Sequence, residues 1–564
     1  MGAITPAFPD LFNLADYFLF DRISEGLGGK TALRYGDLAY TYHDVARRSL
    51  SLARYLRSAG LENEQRVYTV LPDTPPFAWV FFATLAAGGV VAMGNPDAPD
   101  ASLSYVVGYT RASVVVTLPG VAERLCATLR GSPHVKEVLL VPDTPTGGDA
   151  EADVEIPKTL ADAAFEVHAL SDAVRAGETL DDVALPPIHR DDPAIWLFTS
   201  GSTGEPKAAV HAHRDFAFNT EVYAKGTVGY RRDDLTVSVP NLFFGYATGT
   251  NLMFPFAVGA TTCLFSERPT PEALAGSIAR YRPTVVTNVP TMMAKLLDYD
   301  DVLAAQGKPR LDLSCVRFHL SAGEALPPQL LYRFQKRFHN DVYDGIGSAE
   351  MFHIYASNRP GDVKPGSLGR VVDGYEIRIL PTDADAPGAE PVPAGETGVM
   401  WVRGDSVASG YAQDRDKSWQ TFHGHWCRTG DLFRVDADGY LWFSGRADSL
   451  FKSGGIWVAP LEIEECLMDH PAVAMAAVIP AEHKSLTKPK AFVVVREGEH
   501  RRAADDAARE ALCAELQEHV KARLSKHKYP RWVVVVDDLP RNDRGKVDRK
   551  VLAEREARGE NPWR

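Results

Sequence analysis

Ile195-Trp196-Leu197-Phe198-Thr199-Ser200-Gly201-Ser202-Thr203-Gly204-Glu205-Pro206-Lys207 sets an apolar, strand-like run directly before a loop with four hydroxyls, two glycines and a lysine. Glycines let a backbone approach a polyanion, hydroxyls donate neutral hydrogen bonds, and the lysine adds charge. The run therefore reads as a phosphate-gripping loop at the end of a strand. It is not a Walker A loop, which needs Gly-Lys adjacent and then Ser or Thr opening a helix. Here Glu205-Pro206 separates Gly204 from Lys207, and Pro206 forbids a helix start in that register. A mere flexible Ser/Gly turn does not account for the density of donors.

On either side, short β-branched segments alternate with helical patterns. Val67-Tyr68-Thr69-Val70-Leu71, Ala112-Ser113-Val114-Val115-Val116-Thr117 and Val138-Leu139-Leu140-Val141 read as strands, and Tyr42 to Gly60 as a helix. Such alternation predicts a parallel α/β sheet. It resumes after 193 and runs to about 380. Residues 143 to 192, acidic and with Pro and Gly, predict a surface excursion with one amphipathic helix and no chemistry. Residues 380 to 445 are turn-rich and predict strands, and Gly445-Arg446-Ala447-Asp448 predicts a charged turn. A strand over Ala491 to Val495, a helix over Asp505 to Ser525 and a strand over Trp532 to Val536 then predict a small α+β domain. The expectation is an α/β fold: a large N-terminal domain of layered α/β subdomains, 1–447, and a small mobile α+β C-terminal domain, 448–564.

The 564 residues exceed what one core serves, and 45% hydrophobic with 24% charged content is ordinary for a globular protein. A net charge of −13 argues against a general nucleic-acid binder, while leaving room for a local nest of donors around an anion. Cys126, Cys263, Cys315, Cys427, Cys466 and Cys513 stand singly, without CxxC spacing, which predicts reduced thiols in a cytoplasmic protein. The stretch from Met1 to Pro6 has no basic-then-apolar leader, and Pro6 breaks the myristoylation pattern. Phe77 to Gly94 is apolar enough to raise a membrane span, but Gly88-Gly89 interrupts it and Pro76 and Pro96 bracket it. A buried helix ending at Gly88 and a strand Val90-Val91-Ala92 are expected instead.

The 199–207 run resembles the phosphate-binding loop of the superfamily of acyl- and aryl-CoA synthetases, adenylation domains and luciferases. The resemblance continues in chain order from about residue 30 to 552. Leu242-Phe243-Phe244-Gly245-Tyr246, Asp344-Gly345-Ile346-Gly347-Ser348-Ala349-Glu350-Met351-Phe352-His353 and Asn358-Arg359-Pro360-Gly361-Asp362 most resemble benzoate-CoA ligases. The resemblance implies a ligase that uses ATP and Mg²⁺ to adenylate a small aromatic acid and passes the acyl group to coenzyme A. It implies that Thr199, Ser200, Gly201, Ser202, Thr203, Gly204 and Lys207 hold the β- and γ-phosphates, with Gly323-Glu324-Ala325 along the adenine. Asp344, with Gly345, Ile346 and Ala349 in its motif, would accept from the adenine amino group. Glu350 would hold Mg²⁺, with Thr203 reaching metal or phosphate. Asp431, in Thr429-Gly430-Asp431, would take the ribose hydroxyls, and Arg446 would sit near ribose and α-phosphate. Lys546, in Asn542-Asp543-Arg544-Gly545-Lys546, would be the catalytic lysine and Asp448 the hinge. Ser453, Gly454 and Gly455 would line a tunnel for the pantetheine arm.

Adenylation asks a carboxylate to attack an anionic α-phosphate, so cations must offset the repulsion and stabilise the transition state. A mobile lysine and a Mg²⁺ ion on the leaving pyrophosphate answer that need. Two departures stand out. Ala349 occupies the place of a threonine that donates to the α-phosphate, leaving Ser348 or backbone to compensate, and Ala208 replaces a glycine after the loop lysine.

The acyl pocket implied by the family comprises Phe244, Gly245, Tyr246, Asn288, Ala322, Gly345, Gly347, Phe352 and His353. The aromatics close the space a fatty chain needs, and the three glycines are expected to leave a flat slot for one ring. No Asp or Glu appears in 242–249 to anchor an ammonium group, as an amino-acid-activating domain requires. His353 reads either as a contact to the acid's carboxylate or a ring substituent, or as a packing residue. Two further readings stay open: a stand-alone aryl adenylation enzyme loading a carrier-protein phosphopantetheine, and a non-catalytic relative suggested by Ala349. A monomer or homodimer is expected, with neither nucleic acid nor membrane as partner.

Overall fold

The computed structural model describes residues 6–200, 205–453, 456–483, 486–496, 498–540 and 547–560. The chain divides into two compact units, one of Met1–Ile377, Trp401–Arg428 and Gly439–Leu441, the other of Arg378–Met400, Thr429–Asp438 and Trp442–Arg564.

Two sheets organise the first unit. In one, Arg66–Val70, Val90–Met93, Val114–Thr117, Glu137–Leu140 and Glu166–Ala169 run parallel, and Pro193–Ser200 joins them beside Val90–Met93. Every residue of 90–93, 114–117 and 137–140 is buried, as in parallel strands covered on both faces. The other sheet runs parallel through Thr31–Tyr35, Thr261–Leu264, Leu235–Ser238, Val285–Asn288, Phe318–Ser321 and Asp341–Gly347. It then turns antiparallel at Ile354–Ser357.

Local chemistry sets the element boundaries. The Tyr42–Ser58 helix opens on Thr41, whose hydroxyl accepts from the Asp44 N–H while the Asp44 carboxylate accepts the Thr41 N–H at 2.8 Å. This reciprocal pairing satisfies two donors that the helix leaves orphaned. The apolar stretch resolves into a fully buried helix, Pro75–Ala86, a left-handed Gly88 at φ +76°, and the strand Val90–Met93. No helix among the described residues is long and apolar enough to cross a membrane.

The 143–192 stretch differs from expectation, because Glu166–Ala169 forms the edge strand beside Glu137–Leu140. Its Glu-Val-His-Ala sequence is polar at one face, which an edge strand tolerates and a core strand does not. The second unit holds a three-stranded sheet of Val473–His483, Leu486–Val495 and Trp532–Val535. It packs on the helices Pro460–Met468 and Asp506–Lys521 around Ile463, Leu467, Val478, Val493 and Leu516. Val473–His483 escaped the sequence reading because Pro480 sits within it, opposite Pro489 across the hairpin. The β-rich stretch becomes the strands Glu376–Leu380, Gly398–Arg403, Phe422–His423, Trp426–Val435 and Leu441–Arg446. Gly445 and Arg446 therefore end a strand, and the expected turn is a single helical turn at Ala447–Ser449.

Candidate active site

Asn288 and Ser321 end adjacent parallel strands, and Asp344 stands beside Ser321 where the parallel pairing of the third strand stops. Open α/β sheets bind ligands at such ends. The Ser321 hydroxyl donates to Asp344 Oδ1 at 2.7 Å, and burial pushes that carboxyl up to about 8. The Asn358 amide donates to the carbonyls of Asp344 at 3.0 Å and Ser367 at 2.8 Å, pinning the strand end from outside.

Beyond Asp344 the strand pairs with Ile354–Ser357 at unusually close range. A Cβ on Gly345 would come within 2.8 Å of the Ala356 carbonyl oxygen, and one on Gly347 within 2.4 Å of that of His353. These glycines are small for the neighbouring backbone, a constraint that the sequence did not show. Gly245 differs, since its Cβ would meet only the Leu197 side chain at 3.4 Å.

Ala349–Met351 forms one tight turn, tied down by a histidine that the sequence reading did not single out. His211 Nε2 lies 2.6 Å from the Ala349 carbonyl oxygen, and His211 Nδ1 lies 3.0 Å from Asp215 Oδ2. Asp215 also accepts the Ala212 N–H at 3.0 Å. A carbonyl only accepts, so the Nε2 proton is fixed there. The Nδ1–carboxyl contact then needs a second proton, on His211 or on Asp215, whose carboxyl burial raises. After the turn, Phe352 takes φ +67°, a left-handed value rare for an aromatic residue, and its ring packs 4.2 Å from that of Phe216.

The 199–207 loop connects two antiparallel strands, Pro193–Ser200 and Pro206–Ala212, with Thr199 opposite Lys207. A strand rather than a helix follows it, as the exclusion of a Walker loop requires. Gly410–Tyr411 pairs with the far edge of Pro206–Ala212. Lys207 Nζ sits 3.6 Å from the centre of the Tyr411 ring, and the Tyr411 hydroxyl donates to Glu350 Oε1 at 2.6 Å. Burial and the Glu350 charge push the Tyr411 hydroxyl far above the usual phenol range, and burial lowers Lys207. Tyr411 was invisible in the sequence, because only strand pairing brings it to Lys207.

Glu324 accepts the Thr291 N–H at 3.1 Å and its hydroxyl at 2.7 Å, while Gly323 takes φ +86° and Ala322 is buried. Phe244 is half-open to solvent at 38% exposure. In the second unit, Arg446 pairs with Asp431 at 2.8 Å and with Asp448 at 3.3 Å, so Arg446 and Asp431 partly neutralise each other. Ser453 is buried and takes a 3.3 Å hydrogen bond from Lys488 Nζ. Gly201, Ser202, Thr203, Gly204, Gly454, Gly455 and Lys546 lie outside the described residues.

Residues 20–412 match the family model of AMP-binding enzymes, and residues 462–546 that of the AMP-binding enzyme C-terminal domain. The chain belongs to the AMP-binding enzyme family. It is 37% identical to the benzoate–CoA ligase of Thauera aromatica, over 96% of both chains. It is 35% identical to the 4-hydroxybenzoate–CoA/benzoate–CoA ligase of Rhodopseudomonas palustris, over 96% of this chain and 94% of that one. The crystal structure of the anthranilate CoA ligase AuaEII in complex with anthranoyl-AMP superposes with a TM-score of 0.82, 31% identity and 98% coverage of both chains. The α/β fold with a large N-terminal and a smaller C-terminal domain thus stands as read from the sequence.

One position in this enzyme offers a direct test of where the acid binds. A Cβ on Gly249 would come within 2.5 Å of His353 Cδ2. Gly249→Ala should displace the imidazole and lower kcat/KM for the acid about tenfold, the cost of one overpacked contact of about 1–3 kcal/mol. The KM for ATP should hold. Equal effects on both substrates, read from pyrophosphate release, would place His353 away from the acid.

Proposed function

We propose that this enzyme joins a small aromatic carboxylic acid to coenzyme A through an acyl-adenylate. The observation that carries the reading is likeness to benzoate–CoA ligases along 96% of the chain, around a site at the ends of parallel strands. In the first step a carboxylate oxygen bonds to the α-phosphorus of ATP, and the bond to pyrophosphate breaks. In the second the thiol sulfur bonds to the acyl carbon, AMP leaves, and the thiol proton passes to solvent.

Lys207 and the hydroxyls of the 199–203 run grip the outer phosphates, with the Lys207 ammonium held on the Tyr411 ring. Asp344 lies along the nucleotide base, Asp431 takes the ribose, Arg446 the α-phosphate, and Lys546 the developing charge in the transition state. Among the described residues no three His, Cys, Asp or Glu side chains cluster as a metal cage. Mg²⁺ needs no such cage beside a nucleotide, since one or two carboxylates and phosphate oxygens suffice. Glu350 fits that role: the Tyr411 hydroxyl fixes one carboxylate oxygen and leaves the other to the cation. A bound Mg²⁺ would screen the charge of the leaving pyrophosphate, with Thr203 as a further ligand.

The two steps need different groups at one acyl phosphate, Lys546 first and the thiol later. We therefore keep the division at 447/448, with Asp448 as pivot, a mobile 448–564 domain, and Ser453, Gly454 and Gly455 beside the pantetheine arm. A cytoplasmic location, where ATP and coenzyme A are both at hand, is consistent with this reading. Incubation with ATP, coenzyme A and a panel of ring acids should yield thioester and AMP. Thioester absent while adenylate accumulates would favour a carrier-protein acceptor, and no pyrophosphate release with any acid would favour the non-catalytic reading. Asp448→Pro fixes φ at the pivot and should slow thioester formation from a pre-made adenylate about tenfold more than it slows adenylation. Equal slowing would remove Asp448 as the pivot.

A further inference from the structure

His353 stands in an aromatic cage. Its ring centre lies 4.7 Å from that of Phe254, 5.3 Å from those of Tyr246 and Phe352, and 5.6 Å from that of Tyr223. The residue is 2% exposed. His353 Nε2 lies 3.0 Å from the Tyr246 carbonyl oxygen, which only accepts, so Nε2 carries the proton. Burial holds the imidazole down at about 4, so at neutral pH Nδ1 is a bare lone pair. That Nδ1 is buried without a hydrogen-bond partner, and so are the Tyr246 hydroxyl and the Asn288 amide nitrogen.

The three residues belong to one region of the fold. Asn288 ends a strand beside Ser321, which neighbours Asp344. His353 immediately precedes Ile354, which pairs with Gly347 at the end of the Asp344 strand. Tyr246 packs on the His353 ring. A buried polar atom left unpaired destabilises a fold, and folds retain few of them.

The hydrogen-bonding roles of these atoms differ. The Asn288 amide nitrogen only donates, the Tyr246 hydroxyl donates or accepts, and His353 Nδ1 only accepts. An ionised carboxylate offers acceptors alone. It can answer Asn288 and Tyr246 but never His353 Nδ1, and a plain phenyl ring offers nothing. We propose that the acyl pocket is built for an aromatic acid whose ring bears a protic substituent, a hydroxyl or an amine, that donates to His353 Nδ1 and pairs with the Tyr246 hydroxyl. This rests on the reading of the chain as an aromatic-acid ligase.

The test is kcat/KM for thioester formation with benzoate and with its ortho, meta and para hydroxyl, amino, methoxy and chloro derivatives. The best hydroxyl or amino acid should exceed benzoate on the order of a hundredfold, since sites built to pair a substrate hydroxyl reject the analogue without it strongly. The methoxy and chloro acids at that ring position should show no such advantage. Tyr246→Phe should shrink the advantage about tenfold, and His353→Phe should abolish it. The panel on the unaltered enzyme needs no variant, so a folding defect in either one leaves the test intact. Benzoate matching or exceeding every hydroxyl and amino isomer would overturn the proposal, with water filling the polar corner. An advantage that survives both substitutions would overturn it as well. Thioester from no aromatic acid at all would instead remove the ligase reading, and this inference with it.

Discussion

Glu350→Gln should cut the rate of adenylation about a hundred- to thousandfold, the usual cost of removing one preorganised electrostatic group at a site of developing charge. The carboxylate is set by three links that all lie within the first unit. The turn at Ala349–Met351 is tied to His211, the main-chain oxygen of Glu350 accepts the Ala408 N–H at 2.9 Å, and the Tyr411 hydroxyl holds Oε1. Glutamine preserves shape and the hydrogen bond from Tyr411 but removes the negative charge. The Mg²⁺ concentration for half-maximal rate should therefore rise as well. Thioester formation from a pre-made acyl-adenylate releases no pyrophosphate, so it should fall by far less. Equal loss in both steps would mean that Glu350 supports the fold and not the leaving group. Tyr411→Phe, which keeps the charge and the ring beneath Lys207, should cost only about tenfold.

Asp344→Asn should change the pH dependence of folding more than any other single substitution near the site. Burial lifts the Asp344 carboxyl from 3.8 to about 8. Below 3.8 the folded and unfolded chains both hold the proton, and the carboxyl exacts no penalty. As pH rises through that value the unfolded chain releases its proton while the folded chain keeps it, so stability falls steadily until about 8. By then the penalty approaches about 6 kcal/mol as an upper bound. The amide carries no such proton, so the stability gained by Asp344→Asn should grow from near nothing at pH 4 to its maximum near pH 8. Denaturant unfolding of the ligand-free protein at several pH values measures this. A gain independent of pH would mean that Asp344 titrates as an ordinary carboxylate. Asp73, lifted to about 7 by its own burial, should leave a smaller slope in the variant.

What the sequence revealed and what it hid follow the range of the interactions involved. The Thr199 to Lys207 run announces itself because its chemistry is local, with donors, glycines and charge all within one loop. The parallel sheets were legible for a similar reason, since Val114–Thr117 and Glu137–Leu140 are apolar throughout. Tyr411 and His211 were not, because each acts on a residue far along the chain, Tyr411 on Lys207 and His211 on Ala349. The Val473–His483 strand was hidden by Pro480, whose cost falls on one ladder bond while the remaining pairings hold the hairpin. The crowding at Gly345 and Gly347 was hidden too, since it comes from the paired backbone of Ala356 and His353.

The tether from His211 carries a consequence for how this chain can drift. It grips the main-chain oxygen of Ala349 and is indifferent to the side chain borne there. The side chain at 349 can thus be as small as a methyl without releasing the carboxylate one residue further on. The fold has separated the anchoring of the turn from its chemistry, so a change of side chain at 349 stays local. The same separation moves the burden onto position 211, where no other side chain offers a ring that spans a buried carboxylate and a carbonyl at opposite edges.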